Sequence, residues 1–119
     1  MSAPAVLFVD HTGVMGGAQH SLLDVAEAHR ERGAVALLED GPFATALEAR
    51  GVRVLRIGGG AALRRIKKSS VFPGVGPLAA ATRAARAVAR VASPYDLLYA
   101  NSPKSFLVAA LAEIGRAHV

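Results

Sequence analysis

Val6-Leu7-Phe8-Val9-Asp10-His11-Thr12-Gly13-Val14-Met15-Gly16-Gly17-Ala18-Gln19 reads as a strand, a glycine-rich turn and the first turn of a helix. Val6 to Val9 is an unbroken apolar run, as expected of a strand covered on both faces. Gly13, Gly16 and Gly17 permit a sharp reversal and let a ligand come close to the backbone. A helix that begins at the end of a strand turns its free N–H groups and positive dipole end outward, which favours a bound anion. A purely structural reading stands beside this one: a tight turn whose glycines serve only positive φ.

Further along, the same unit recurs. Ala18 to Arg32 has helical spacing, with Leu22, Val25, Ala26 and His29 on one side and Gln19, Glu27, Arg30 and Glu31 largely on the other. Gly33 suits the position just past a helix end. Ala34 to Leu38 is a second apolar strand, closed by Glu39-Asp40-Gly41. Pro42 fits the first position of a short helix in which Phe43 and Leu47 stack at i, i+4, and Gly51 ends it. Val52 to Ile57 places Arg53 and Arg56 among apolar residues, which predicts a strand near the sheet edge. Residues 58–77 are rich in Gly, Pro and basic side chains and read as a long mobile loop, a feature that in a compact domain is usually functional or disordered. Leu78 to Ala92 predicts a helix with Leu78, Ala81, Ala85, Val88 and Ala92 inward and Arg83, Arg86 and Arg90 on a separate stripe, stopped by Ser93-Pro94. Asp96 to Ala100 is a fourth strand. Ser102 and Pro103 then fit as cap and first residue of a last helix, which packs Phe106, Leu107, Ala110, Leu111 and Ile114 and ends at Gly115. Arg116 to Val119 resembles the lead-in to a further strand.

Strand and helix alternating four times predicts an α/β fold: a Rossmann-like, three-layer α/β/α domain around a parallel sheet of about four strands. Ligands in such folds bind beyond the carboxyl ends of the strands. Three connections therefore stand out: Asp10 to Gly17, Glu39 to Pro42 and Asn101 to Lys104.

Composition narrows the function classes. With 119 residues, 52% hydrophobic, and a mean hydropathy of +0.34, the chain is a single small ordered domain. It has no cysteine, so disulfides and thiolate metal sites are excluded, and His11, His20, His29 and His118 lack ligand spacing, so no metal is expected. No basic leader or bilayer-length apolar run is visible, and a cytoplasmic location is expected. The net charge is +5, and no acidic residue lies between Glu48 and Asp96, a window holding ten of the fourteen basic residues. Arg64, Arg65, Lys67 and Lys68 within it suit an anionic neighbour, either a membrane surface or a charged ligand; the alternative is a solvated face. With two Tyr and four Phe there is no aromatic–basic stacking pattern, so nucleic acid is not expected as a partner.

Neither nucleotide motif is present. Gly13-Val14-Met15-Gly16-Gly17 departs from the dinucleotide fingerprint G-x-G-x-x-G and lacks the G-K-[ST] ending of a P-loop. Glu39, at the end of the second strand, is where a ribose-binding acid would sit, which keeps a stand-alone nucleotide-binding module open. His11 is a candidate general base with no partner visible in the sequence, and Ser102 reads first as a helix cap.

Several pieces, in order, resemble the opening of glycosyltransferase family 4, retaining enzymes of the GT-B fold. They are Val6 to Asp10, then Gly16-Gly17-Ala18-Gln19 with Leu22, then Glu31-Arg32-Gly33, then Asp40-Gly41-Pro42-Phe43 with Leu47 and Gly51-Val52, then Tyr95 to Ser102. The resemblance implies that residues 1–119 are part of the N-terminal, acceptor-side half of such an enzyme. Gly16 and Gly17 would meet the diphosphate of a nucleotide-sugar donor, and Asp10, His11, Asn101, Ser102 and Lys104 would face a lipid, saccharide or small-molecule acceptor. It implies no cofactor beyond the donor substrate, held mainly by a second domain, and gives no catalytic residue in this stretch. Arg64, Arg65, Lys67 and Lys68 would make peripheral contact with anionic membrane at its inner face. The piece alone is expected to be inactive and, with sheet edge and helix faces uncovered, prone to self-association.

Overall fold

A computed structural model describes residues 4–58, 75–102 and 107–113. The elements are β1 (Val6–Asp10), α1 (Gly17–Ala28), β2 (Gly33–Leu37), α2 (Pro42–Ala49), β3 (Arg53–Arg56), α3 (Val75–Ala92) and β4 (Leu97–Ala100), followed by a helical stretch, α4, over 107–113. The four strands form one parallel sheet in the order β3-β2-β1-β4. The chain runs β1 to β2 to β3 in one direction, then crosses back to lay β4 on the other side of β1. The direction of winding therefore reverses beside β1.

Alternation along the central strands divides the core in two. Leu7 and Val9 of β1, with Ala34, Ala36 and Leu38, face Ala81, Ala84, Ala85, Val88 and Ala92 of α3 and Val108 and Ala112 of α4. Val6 and Phe8, with Val35 and Leu37, face Leu22, Leu23 and Ala26 of α1 and Phe43, Ala44 and Leu47 of α2. Both central strands are buried along their whole length, which explains their unbroken apolar runs. The run of alanines on α3 lets that helix lie close to the sheet. The architecture is the expected three-layer Rossmann-like α/β sandwich.

Several boundaries and faces differ from the sequence reading. Helix α1 ends at Ala28 with His29 as its cap, and Gly33 begins β2 rather than capping a helix; a Cβ there would lie 2.7 Å from the carbonyl oxygen of His29, so glycine serves a close approach. The buried side of α1 is Gln19, Leu22, Leu23 and Ala26, while Val25 is 42% exposed and His29 is exposed, its ring meeting that of Phe8 in an edge-type contact at 5.9 Å. Helix α3 starts at Val75, so its first residues replace the end of the expected loop over 58–77; residues 59–74, including Arg64, Arg65, Lys67 and Lys68, lie outside the described residues. In α4 the buried positions are Val108, Ala109 and Ala112, with Leu107 exposed, one step out of phase with the expected face. Phe106, Ile114 and the expected strand lead-in at 116–119 lie outside the described residues.

Among the described glycines, those with positive φ are Gly41, Gly51 and Gly58. Gly16 is extended, at φ −124° and ψ −174°, and so the turn after β1 does not depend on a left-handed glycine. What the turn does require is proximity. Gly13 passes backbone to backbone against Asp40 and Gly41, where a Cβ on Gly13 would overlap the Asp40 carbonyl and sit 2.8 Å from the Gly41 nitrogen. The Phe43 N–H donates to the Gly13 carbonyl at 2.9 Å, tying the first two connections together.

Candidate functional site

In a parallel sheet every strand ends at the same edge, so the loops after β1, β2 and β4 meet there. Where the winding direction reverses, the two helices that leave neighbouring strands diverge to opposite faces and open a crevice. Here that point lies between β1 and β4, paired from Val6↔Leu97 to Val9↔Ala100. Asp10, His11, Asn101 and Ser102 all sit at it.

Asp10 is the last residue of β1 and is fully buried. One carboxylate oxygen, Oδ1, accepts from the His11 backbone N–H at 2.8 Å. The other, Oδ2, accepts from Gln19 Nε2 at 2.9 Å and from Asn101 Nδ2 at 2.8 Å. Burial alone would raise the pKa of this carboxyl. The hydrogen bonds from the His11 side chain, Asn101, Gln19 and the His11 backbone outweigh that and hold it below the ordinary carboxylate value. Asp10 is therefore an ionised hub that joins the β1 loop, the first turn of α1 and the β4 loop. It lies where the connections after β1 and β4 meet, with its oxygens bound to protein donors and turned away from solvent.

His11 follows, with its side chain 21% exposed. Its Nδ1 lies 2.7 Å from Ser102 Oγ and 3.3 Å from Asp10 Oδ1. No partner for His11 is visible in the sequence; the fold supplies two, one from a residue 91 positions away. Ser102, read first as a helix cap, thus engages the β1 loop. Pro103 and Lys104 lie outside the described residues.

Gln19 is the participant that sequence reading misplaced. Periodicity put it on the solvent side of α1, yet it is 7% exposed. Its Nε2 binds Asp10 and its Oε1 accepts from the Gly16 N–H at 3.1 Å. A visible signal existed: Gln19 stands third in the helix after the cap residue Gly16, where a Glu or Gln characteristically reaches back to the cap N–H. Gly17, next to it, is exposed, and a Cβ built there meets no atom within 4 Å. The mouth at Gly17 is open.

At the neighbouring connection Asp40 Oδ1 accepts from the Gly41 N–H at 2.8 Å and from Arg56 Nε at 3.0 Å. Arg56 also forks onto both oxygens of Glu48, at 2.7 and 3.1 Å. Those bonds lower the pKa of both carboxyls and raise that of the guanidinium. Arg50 likewise pairs with Asp24 and Glu27. Two members of the basic window are thereby neutralised locally, while Arg83, Arg86 and Arg90 form an exposed stripe on α3. Among the described residues no group of three His, Asp or Glu is placed to hold a metal ion, and no helix is long and apolar enough to cross a membrane. A recess of about 430 Å³, lined by Pro4 and residues 28–32, lies at the opposite end of the strands, far from the Asp10 cluster.

No protein-family model matches the chain, and no curated protein matches it significantly. Among solved structures it is similar to Anabaena Alr3699/HepE in complex with UDP and glucose, with 31% identity and a TM-score of 0.72 over 97% of this chain and 28% of that one. The same protein in complex with UDP-glucose matches at 31% identity and TM-score 0.71, over 94% of this chain and 26% of that one. With UDP alone it matches at 32% identity and TM-score 0.69, over 94% and 27%. The chain thus spans between 26% and 28% of the length of the structures it matches.

Proposed function

We propose that this chain is the acceptor-side, Rossmann-like part of a sugar-nucleotide-dependent glycosyltransferase of the GT-B fold, a retaining enzyme related to glycosyltransferase family 4. The observation that carries the proposal is the likeness, at 31% identity over nearly the whole chain, to a protein crystallised with UDP and glucose. In this reading the open turn at Gly16 and Gly17 receives the donor's diphosphate. The amide groups and dipole of the α1 N-terminus supply the matching charge. Gly17 is the more accessible of the two, since the Gly16 N–H already donates to Gln19. His11, Ser102, Asn101 and Lys104 border the acceptor side, and Asp10 acts behind them. A second domain would hold most of the nucleotide, so the piece alone turns over no donor. The reading invokes no resident metal or cofactor. It places the protein in the cytoplasm, with Arg64, Arg65, Lys67 and Lys68 in peripheral contact with anionic lipid.

Titration of the isotopically labelled chain with UDP, UDP-glucose and NAD tests the proposal. UDP and UDP-glucose should perturb the amides of Gly16, Gly17 and Ala18. Gly17→Ala should weaken the UDP response by about tenfold, or about 1.4 kcal/mol, although the added methyl meets empty space in the unliganded fold. Tight NAD binding without a response to UDP would instead support a free-standing dinucleotide module.

A further inference from the structure

We propose that Asp10 is a positioning residue that fixes the neutral tautomer of His11, with the proton on Nδ1, so that Nε2 faces the crevice as a hydrogen-bond acceptor for a ligand hydroxyl. The surroundings of Asp10 have a single polarity. Apart from the His11 ring, every described group that hydrogen-bonds to its oxygens is an N–H donor: the His11 backbone, Gln19 Nε2 and Asn101 Nδ2. Such a site suits a carboxylate, which only accepts.

The His11 ring stands against this fixed negative charge. Nδ1 is 3.3 Å from Asp10 Oδ1 and 2.7 Å from Ser102 Oγ. If Nδ1 carried a lone pair, that lone pair would face the carboxylate oxygen and be repelled. If Nδ1 carries the proton, it is attracted by the carboxylate and donates to the serine oxygen, which accepts readily. The carboxylate only accepts and keeps its charge whichever way the serine hydroxyl points, and so Asp10 decides between the tautomers. With Nδ1 protonated, Nε2 keeps its lone pair. Among the described residues none is within hydrogen-bond distance of Nε2, and the side chain remains 21% exposed at the crevice.

The consequence concerns ligand class. An imidazole presenting a lone pair accepts from a sugar or alcohol hydroxyl and offers nothing to a phosphate, which itself only accepts. Two neighbouring surfaces of the mouth would then read different parts of a ligand: the glycine turn its anionic portion, and His11 a hydroxyl. That this hydroxyl belongs to a sugar or its acceptor rests on the glycosyltransferase reading, whereas the tautomer does not.

Nitrogen-15 spectroscopy of the histidine rings in the intact chain reads the tautomer directly, at a pH above the imidazole's own titration, which the same spectra follow. The expected native signature for His11 is a pyrrole-like Nδ1 and a pyridine-like Nε2. Ser102→Ala should keep that pattern. Asp10→Asn should lose it, moving His11 toward the Nε2-protonated form, with the amide spectrum reporting that the fold persists. A native His11 protonated on Nε2 overturns the proposal, and that measurement needs no variant to fold. Loss of the pattern in Ser102→Ala with retention in Asp10→Asn overturns it as well, because serine would then be the determinant. A chain that ignores UDP and UDP-glucose yet shows Nδ1 protonated keeps this assignment and loses the glycosyltransferase reading.

Discussion

Asp10 concentrates more of the site's energetics than any neighbour, because a buried carboxylate is stable only while its donors stay in place. Asp10→Asn keeps the shape but puts an NH₂ group against donors. Its cost should be about 2–4 kcal/mol of unfolding free energy, measured from the shift in a urea midpoint. The pH dependence has a definite sign. The native carboxyl titrates below its ordinary value, so its contribution is fully present above the unfolded pKa of about 4 and is lost as pH falls through the lower native pKa. The gap between native and Asp10→Asn stabilities should therefore close as pH falls below about 4; a constant gap down to about pH 3 would contradict the assignment. Much of this cluster was legible beforehand, because a parallel sheet brings Asp10, His11, Asn101 and Ser102 to one edge from strand order alone. Their division of labour was not. Which polar residue touches ligand and which is buried behind it depends on contacts across 91 residues of sequence, and Gln19 was hidden by a helical wheel that ranks hydrophobicity and ignores the reach of a side chain back to its cap.

The elements owe their placement to a few close contacts. Helix α2 has only eight residues, too few to persist alone, and is held by Phe43, Ala44 and Leu47, all fully buried. Phe43→Ala should cost about 3–5 kcal/mol, read as a fall in denaturant midpoint with the slope unchanged. The crossing of the first two connections makes a sharper prediction. Gly13→Ala would force the Asp40–Gly41 backbone away and stretch the bond from the Phe43 N–H to the Gly13 carbonyl. Gly17→Ala in the same turn meets nothing and should hold or slightly raise stability, since alanine is the better helix former. Thermal melts of the two variants should move in opposite directions; equal losses would mean that the turn is constrained by conformation rather than by proximity. Strand identities and sheet layering followed from sequence because apolar runs and helix periods are local signals. Helix phase was less secure in alanine-rich α4 and in α1, where Leu22, Leu23 and Val25 offer more than one apolar stripe and only the sheet decides among them.

At the scale of the whole molecule the two outer strands differ in chemistry. At one edge, β3 carries Arg53 and Arg56, both exposed, and charged side chains of this kind oppose strand-to-strand pairing. At the other, β4 presents Leu97 at 53% and Tyr99 at 52% exposure, with no charge between Leu97 and Ala100. Tyr99 is opposite Phe8, against which its ring packs edge-on, so these exposed residues continue the apolar face that α1 covers only as far as β1. Among the described residues this edge carries no charge and the apolar face beside it is half exposed, which favours pairing with a second copy. Sedimentation velocity over a wide concentration range should therefore show the weight-average coefficient rising with concentration. Leu97→Lys, which places a charge on that strand at an already exposed site, should suppress the rise without lowering the melting temperature. Arg53→Ala, at the opposite edge, tests whether guarding matters there, and it should add a second mode of association. A native chain that sediments as a monomer throughout, or a Leu97→Lys variant that associates as before, would show that β4 is not a pairing edge.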